Sequence, residues 1–427
     1  MSQSKSMSRR GFLASSTTAG VALSFPTIIP AKARVGTAAN STVRIGVLGT
    51  GSRGRFHVKS INDITNGEVV AVCDIYKPHL EAGQELAGGP SKCKAYTDYK
   101  ELLASDVDGV TVATPIYLHH EHEIAALKAG KNVMGEKTLA KTPEQCRDIV
   151  KAVEKSGLVF VTGHQRRYSP IYRKAMEMID MGVIGELLYV RAQWHRNGDW
   201  RRTAPQSGEK WERQFNHRMY RELGGGLMAE LGSHQVDVVN WAVGESPNKV
   251  VGIGGIDRWK DGRETHDNVS VVYSFPGGAK LLYSSICSNA YYGCSESYLG
   301  TEGTIELSTK GGKFFKEASA MNKEVQAALG GNSSTELQRE ILVTGATVTA
   351  ETASEDKGEM IGSNEGRVMI DDGSSALFAA FCDDIKTGNT TPDCNVKVGA
   401  EACVPILMAN RSMFNEEYIS WDMNDYL

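Results

Sequence analysis

The sequence lacks several features that mark common classes of protein. After residue 33 no stretch approaches the roughly 18 continuous apolar residues that a membrane-spanning helix needs. The 47 lysines and arginines are balanced by 51 acidic residues, and the cationic residues form no basic stripe. The eight cysteines show neither C-x-x-C spacing nor a cluster with histidine. We therefore expect no stable insertion in a membrane, no nucleic-acid partner and no zinc site.

The first 33 residues differ from the rest of the chain. Lys5, Arg9 and Arg10 precede a small, apolar stretch, and residues 31–33 (AKA) fit an A-x-A cleavage site. The run SRRGFL resembles a twin-arginine export signal, which implies that the protein crosses the membrane already folded. A Sec signal or an uncleaved anchor is the alternative. We expect a periplasmic or otherwise exported protein that does not rely on disulfides, because it folds in a reducing compartment.

The remaining pattern predicts two domains, since 427 residues exceed the roughly 100 to 200 of one domain. Over residues 43–165, short apolar strands alternate with helical stretches, which predicts a Rossmann-type, doubly wound parallel sheet. Residues 166–427 predict an α+β domain with an open, mainly antiparallel sheet. Within it, residues 310–368 resemble an irregular insertion, and the last helices are expected to pack back on the body.

The stretch from Gly49 to Gly54 reads G-x-G-x-x-G, directly after the first predicted strand. Its glycines, Gly49, Gly51 and Gly54, permit a tight turn and close approach of a pyrophosphate, with Ser52 and Arg53 at the helix N-terminus. Asp74 ends the second strand, where an acid binds ribose hydroxyls and repels a 2′-phosphate. NAD is therefore favoured over NADP, although the nearby Lys77 weakens that preference. A plain β–α turn is the alternative.

Two more loops follow the carboxyl ends of predicted parallel strands, where open α/β sheets bind ligands. One contains Thr114, Pro115 and His119, and the other contains Glu136 and Lys137. We predict that both loops contact the cofactor. Lys137 is placed to hydrogen-bond a substrate hydroxyl beside the nicotinamide, unless it is an ordinary solvated lysine.

A predicted helix near residue 230 places Glu230, His234, Asp237 and Trp241 on one face. An ionisable stripe on an otherwise apolar helix indicates a cavity. His234 is suited to proton transfer, with Glu230 or Asp237 to orient it. The alternative is a histidine that is simply hydrogen-bonded inside a domain interface.

Two further motifs have the residue types of ligand sites. In LHHEHE, His119, His122 and Glu123 could share a helix face, but the spacing is not H-E-x-x-H and no further ligand is evident, so no metal is expected. The run WHRNGDWRR mixes aromatic rings with hydrogen-bond donors, as sugar sites do, although structural aromatics explain it equally well. Six residues are candidates for contact with substrate: Arg166, Tyr168, Trp194, His195, Arg196 and Tyr220.

Taken together, G-x-G-x-x-G, ATP…H, EK and GGGLMAELGSHQVD resemble the glucose–fructose oxidoreductase and inositol dehydrogenase (Gfo/Idh/MocA) family. The resemblance implies a Rossmann domain followed by an α/β domain whose open sheet often makes oligomer contacts. It also implies that Lys137 and His234 lie beside the nicotinamide. Two residues depart from the family pattern. Thr138 replaces a proline that often follows a cis peptide, and a cis bond before threonine is expected to be costly. Glu230 replaces an aspartate.

Three functions remain open. In the first, an oxidoreductase transfers hydride between a sugar or polyol carbon and a tightly bound NAD loaded before export, while Lys137 and His234 take the hydroxyl proton. The second is a redox-neutral, NAD-dependent glycoside hydrolase, which needs a further base such as Tyr168, Tyr220 or Tyr291. The third is an inactive sugar-binding relative. The expected partners are a small carbohydrate and further copies of the chain.

Overall fold

The structure is a computed structural model that describes residues 42–205, 208–308, 311–317, 359–361 and 371–427. The predicted signal peptide, residues 1–33, lies outside these ranges. Within the described ranges no helix is long and apolar enough to cross a membrane.

Residues 43–162 contain a parallel sheet of six strands. Its strands are β1 (Val43–Leu48), β2 (Gly67–Cys73), β3 (Lys94–Tyr96), β4 (Gly109–Val112), β5 (Asn132–Gly135) and β6 (Phe160–Thr162). They lie in the order β3-β2-β1-β4-β5-β6, and every pair is parallel. The prediction of a doubly wound parallel sheet is confirmed. The sequence analysis missed β3 because three half-exposed residues carry no apolar run.

Five helices connect these strands: α1 (Ser52–Asn62), α2 (Lys77–Leu86), α3 (Tyr99–Leu103), α4 (His119–Lys128) and α5 (Pro143–Ser156). The sequence determines the ends of α5. Thr142 caps it by accepting a hydrogen bond from the Gln145 backbone, and Gly157 ends it with a left-handed φ of 63°. The crossovers leave the carboxyl ends of the strands free for a site.

Among the described residues, the second sheet has nine strands. They are β7 (Leu187–Asn197), β8 (Lys249–Gly255), β9 (Asn268–Ser274), β10 (Lys280–Ile286), β11 (Ser288–Gly300), β12 (Gly303–Ser308), β13 (Gly311–Lys316), β14 (Glu359–Ile361) and β15 (Ile419–Ser420). Their order is β14-β13-β12-β11-β7-β10-β9-β8-β15, and only the β7–β10 pair is parallel. The predicted open, mainly antiparallel sheet is confirmed. The sequence analysis missed β11, whose first five residues are exposed and whose sequence lacks apolar alternation.

The predicted irregular insertion at 310–368 is partly corrected. Residues 311–316 form β13 and residues 359–361 form β14, which continue the sheet by antiparallel pairing. The residues of this segment that are not in β13 or β14, apart from residue 317, lie outside the described ranges.

The remaining helices are α6 (Pro170–Asp180), α7 (Glu209–Phe215), α8 (Ser233–Val243), α9 (Ser374–Thr387) and α10 (Val396–Asn415), and a π-helical turn, Met228–Gly232, leads into α8. Although α9 comes late in the chain, it packs on the first sheet. Leu377, Phe378 and Phe381 share a buried cluster with Val43 and Ile45. The proposed boundary at residue 165 therefore separates the two sheets but not all of the helices around them.

Candidate functional site

A cleft of about 740 Å³ opens at the carboxyl ends of the first sheet's strands. Its walls include the glycine-rich loop after β1, Asp74 after β2, Lys137 after β5 and His234 in α8. The first three come from the parallel sheet and the last from the helix of the second half. The fold therefore brings four separately predicted segments to one cavity.

The glycine-rich loop has the backbone geometry that a pyrophosphate requires. Gly49 adopts a left-handed φ of 84°, where side chains are strained. A Cβ added to Gly54 would lie 1.7 Å from the Gly49 carbonyl oxygen, so only glycine permits α1 to pack this closely against the end of β1. Gly54 lies beneath the cavity, whereas Gly49, Gly51, Ser52 and Arg53 line it.

Asp74 lines the cavity and is held by the loop itself. Its carboxylate accepts hydrogen bonds of 2.8 Å from the backbone N–H groups of Thr50 and Tyr76. These bonds aim an acidic group at the place where a ribose lies in dinucleotide-binding folds. The glycine loop and Asp74 together therefore fit a dinucleotide without a 2′-phosphate, and Lys77 is turned away to an exposed pair with Glu81.

Glu136 is the buried centre of an ionic network behind the loop. Its Oε1 accepts a hydrogen bond of 2.6 Å from Arg53 and lies 2.9 Å from His57 Nε2, while Oε2 accepts one of 3.1 Å from the Lys137 backbone. Burial alone would raise the pKa of Glu136, but Arg53 and His57 hold it well below its usual value. The ionised carboxylate therefore connects α1 to the end of β5 and fixes the position of the Lys137 backbone.

Lys137 docks on the π-helical turn that precedes α8. Its ammonium donates to the Glu230 backbone carbonyl at 2.9 Å and lies 3.5 Å from that of Ala229. The Thr138 hydroxyl also donates to the Ala229 carbonyl, at 3.0 Å. A π turn leaves carbonyl groups outside the regular α-helical hydrogen bonds, and such turns often occur at functional sites. Burial lowers the pKa of Lys137, although Glu230 and Glu136 oppose the shift.

The predicted stripe on the helix of His234 is only partly formed. The π-helical turn changes the helical phase, so that Glu230 lies toward Arg218, at 3.7 Å, and not toward His234. Asp237 instead accepts a hydrogen bond of 2.8 Å from Arg167. Among the described residues neither acid hydrogen-bonds to His234, so neither orients the imidazole by direct contact in this structure.

His234 and Glu230 have different charges at pH 7 because their electrostatic surroundings differ. Burial together with Lys137 and Arg166 holds the pKa of His234 well below its ordinary value, so the imidazole is neutral at pH 7. Burial would raise the pKa of Glu230, but Arg218, Lys137 and His217 lower it to about 2. The neutral His234 imidazole and the ionised Glu230 carboxylate therefore both lie close enough to the Lys137 ammonium to interact with its charge.

The loop after β4 is held in place by two histidines. His119 bridges the Thr114 and Thr138 carbonyl oxygens, at 2.9 Å each, and His122 lies 3.1 Å from the Thr114 hydroxyl. Glu123 points away, into the sheet beside Gly135. Among the described residues, no three His, Cys, Asp or Glu side chains are grouped as a metal site would require. His119, Thr114 and Pro115 line the cleft.

With this geometry established, the relatives are informative. A family model described as "Oxidoreductase family, NAD-binding Rossmann fold" (GFO_IDH_MocA) matches residues 43–164, and the "GFO/IDH/MocA C-terminal domain" matches residues 172–306. A 2,7-anhydro-N-acetylneuraminate hydratase of Escherichia coli is 35% identical over 273 residues, which cover 62% of this chain and 67% of that protein. The chain belongs to the Gfo/Idh/MocA oxidoreductase family. Residues 43–164 form its NAD-binding Rossmann domain.

Other relatives of this Gfo/Idh/MocA protein carry names from carbohydrate chemistry. An inositol 2-dehydrogenase/D-chiro-inositol 3-dehydrogenase of Halalkalibacterium halodurans is 34% identical over 212 residues, 49% of this chain and 55% of that protein, so the chain spans about half the length of this relative. Among solved structures, levoglucosan dehydrogenase in complex with NADH superposes with a TM-score of 0.69 at 18% identity, covering 89% of this chain and 99% of that one. The structural likeness shows a shared fold.

The two departures of this Gfo/Idh/MocA chain from the family pattern have structural outcomes. The Lys137–Thr138 peptide is cis, although a threonine takes the place of the usual proline. Thr138 supplies a hydroxyl donor to the π-helical turn that proline could not. The carboxylate of Glu230, which stands in place of aspartate, lies 3.7 Å from Arg218 Nε.

Several predicted substrate contacts of the Gfo/Idh/MocA chain are corrected. Trp194 lines the cavity, but its neighbour His195 points to the other face of β7, where it bonds Ser284 and the Tyr291 carbonyl, because side chains alternate along a strand. The other four, although described, also do not line it. Arg166 is bound by buried Glu296, Tyr168 packs in the core against Arg173, Arg196 stacks between Trp194 and Trp200, and the Tyr220 hydroxyl bonds Glu212.

Sequence reasoning missed the segment between β7 and the π-helical turn. Trp211 and Phe215 of α7 lie with Tyr76 at ring-centroid distances of 5.5 and 5.2 Å, over the Asp74 end of the cleft. Arg202 reaches Ser52 Oγ at 3.2 Å, beside the N-terminus of α1. The cluster of aromatic and basic residues in this stretch was the available signal, but it was assigned to substrate and not to the cofactor end.

Proposed function

We propose that this chain transfers hydride between a hydroxyl-bearing carbon of a sugar or polyol and an NAD held in the cleft. The observation that carries the proposal is that Lys137 and His234 line the same cavity as the glycine-rich loop and Asp74. A proton donor or acceptor and a dinucleotide site are therefore joined in one space, as hydride transfer from an alcohol requires.

The chain's own residues would position the alcohol and take its proton. Lys137, fixed by the Glu230 carbonyl, is placed to donate a hydrogen bond to the substrate oxygen. Neutral His234 is placed to accept the hydroxyl proton, and its low pKa keeps it unprotonated at pH 7. NAD, when bound, supplies the hydride acceptor. Glu230, ionised and beside Arg218, balances the ammonium charge.

A polyhydroxylated substrate fits the polar lining of the cavity. Three lining side chains, Gln165, Gln214 and His217, have buried polar atoms without a hydrogen-bond partner among the described residues. Such atoms call for a ligand or water to pair with them. The Trp194 ring adds an apolar face of the kind that sugar rings pack against. The inositol and levoglucosan relatives support the same substrate class.

A redox-neutral reaction is the second candidate, in which oxidation, elimination, water addition and re-reduction cleave a glycoside. The hydratase relative, at 35% identity, favours keeping it. The three tyrosines considered as its additional base do not help it. Tyr168, Tyr220 and Tyr291 are all described, and all lie outside the residues that line the cleft. An inactive sugar-binding relative is the third candidate, which the joint placement of Lys137 and His234 disfavours.

We further propose that the protein is exported by the twin-arginine pathway with NAD already bound, as residues 8–13 (SRRGFL) suggest. We also propose that it forms homo-oligomers through its second sheet. Ile253, Val251 and Val272 are exposed on neighbouring strands of that sheet, with Ile253 79% exposed. Exposed apolar patches on a sheet are typical of association surfaces.

Mass spectrometry of the purified mature protein tests the cofactor proposal, because resident NAD should be released on denaturation. The loaded protein is then offered aryl glycosides without an added electron acceptor and, in a separate assay, polyols or sugars together with a ketose. Oxidation of a polyol or sugar coupled to reduction of an added ketose supports the oxidoreductase. Release of a phenol with no net NADH supports the glycosidase. The absence of both reactions, with NAD bound, supports the inactive relative.

A further inference from the structure

A group of buried polar atoms lies behind His234 without partners. Nδ1 of His234, both ring nitrogens of His164 and Oδ2 of Asp237 have no hydrogen bond to any described residue. Buried polar groups in folded proteins are nearly always paired, directly or through ordered water. Four such atoms on three neighbouring side chains therefore indicate one shared arrangement.

The fold places the side chains of His234, His164 and Asp237 close to one another. His164 follows β6, and its ring meets the His234 ring nearly edge-on, at an interplanar angle of 89° and a centroid distance of 6.5 Å. That separation is too long for a direct ring-to-ring hydrogen bond and suits one bridging water. Asp237 lies nearly one turn after His234 in α8. Arg167 holds its Oδ1 at 2.8 Å, which leaves Oδ2 free to face His164.

The charged groups around His234 and His164 determine how readily each ring takes a proton. The cations facing His234 are Lys137 and Arg166, opposed by Glu136. The groups facing His164 are Asp237 and Glu136, with Arg167 and Lys137 opposing them. Because two cations disfavour an imidazolium at His234, an acid that acts on it from behind would make the histidine a stronger base.

We propose that His164 and Asp237 are positioning residues for His234. A water bridges His234 Nδ1 to one nitrogen of His164, and a second water bridges the other His164 nitrogen to Asp237 Oδ2. The array fixes neutral His234 as its Nδ1–H tautomer, which leaves Nε2 as the acceptor toward the cavity. This role deepens the proposed function. Nε2 of His234 would take the hydroxyl proton of the alcohol, with NAD, when bound, supplying the hydride acceptor, and the array would hold the resulting imidazolium.

The tautomer can be tested without any substrate, so failure of the inference is separable from failure of the proposed function. Ring ¹⁵N labelling of histidine and long-range ¹H–¹⁵N spectra report which nitrogen carries the proton, with the His234 signal assigned from a His234→Gln variant. We expect the Nδ1–H form in the wild type and a mixed or Nε2–H form in His164→Phe. His266→Phe, which replaces a partly buried ring outside the residues that line the cleft, should leave the His234 signal unchanged.

Turnover of an accepted substrate gives a second readout. Replacing a residue that orients a functional histidine lowers activity on the order of tenfold or more. His164→Phe and Asp237→Asn should therefore each lower kcat about tenfold, with KM little changed. Loss of the Asp237 charge also lowers the pKa of His234, so the acid limb of the kcat profile should move to lower pH. Thermal midpoints and NAD content screen for misfolding. An unchanged tautomer in both well-folded variants would overturn the proposal.

Discussion

The two walls of the cleft are built in different ways. The first wall consists of loops that leave parallel strands of one sheet, so that Gly49, Asp74 and Lys137 reach the same edge from widely separated points of the sequence. The second wall is assembled from β7, the segment before α7, α7 itself and the π-helical turn, which belong to no common sheet edge. The first wall follows from topology alone, whereas the second depends on how distant segments pack.

This difference suggests a division of labour. The parallel-sheet wall uses backbone geometry, such as the Gly49 turn, that few side chains can replace. The second wall uses side chains, such as Trp194, that can change without disturbing the sheet. The cofactor chemistry would then stay fixed while substrate preference varies. Substitutions on the first wall should accordingly have larger effects than those on the second.

Lys137→Met should have the largest effect. The side chain keeps its length but loses the ammonium that donates to the Glu230 carbonyl and would donate to substrate. We expect turnover to fall about a hundredfold or more, measured as kcat with an accepted polyol, while NAD content stays normal. Lys128→Met, at the exposed end of α4, is the control. Full activity of the Lys137 variant would remove this residue from the mechanism.

Gly54→Ala should affect the cofactor and the fold together. The added Cβ would lie 1.7 Å from the Gly49 carbonyl oxygen, so α1 must shift away from the end of β1. Overpacking of this kind costs roughly 1–3 kcal/mol, which should lower the Tm and weaken NAD binding as measured by calorimetry. Gly198→Ala serves as the matched control because no atom lies within 4 Å of its Cβ position. Equal NAD affinity in both variants would contradict the proposed packing.

The same contrast explains how much the sequence could predict. Glycine spacing, Asp74 and the EK pair are local signals, and each lies where the parallel-sheet pattern placed it. The π-helical turn at 228–232 is not visible in a 3.6-residue period, so Glu230 and Asp237 were assigned to a shared face that the helix does not form. His195 and Tyr220 were chosen by residue type, without the strand phase that determines which side chains face the cleft.

Trp211→Ala should have a moderate effect, confined to the cofactor. Its ring packs 5.5 Å from Tyr76 at the Asp74 end of the cleft, where the adenosine half of NAD would lie. Aromatic contacts of this kind contribute roughly 0.5–1.5 kcal/mol, so NAD should dissociate up to about tenfold faster in stopped-flow fluorescence. Tyr418→Ala, an exposed aromatic outside the cleft, is the control. If release is unchanged in the Trp211 variant, α7 does not cover the cofactor.

Tyr220→Phe should have the smallest effect, and it separates the two candidate reactions. The Tyr220 hydroxyl bonds Glu212 at 3.3 Å and its ring stacks under Arg213, outside the described residues that line the cleft. We expect less than a twofold change in kcat/KM with either a polyol or an aryl glycoside. Glu212 keeps its partner Arg201, so its position needs no new contact. A loss confined to the aryl glycoside would instead assign Tyr220 as the base of an elimination. It would also require the segment before the π-helical turn to move its hydroxyl into the cleft, which makes the second wall a mobile part of the site.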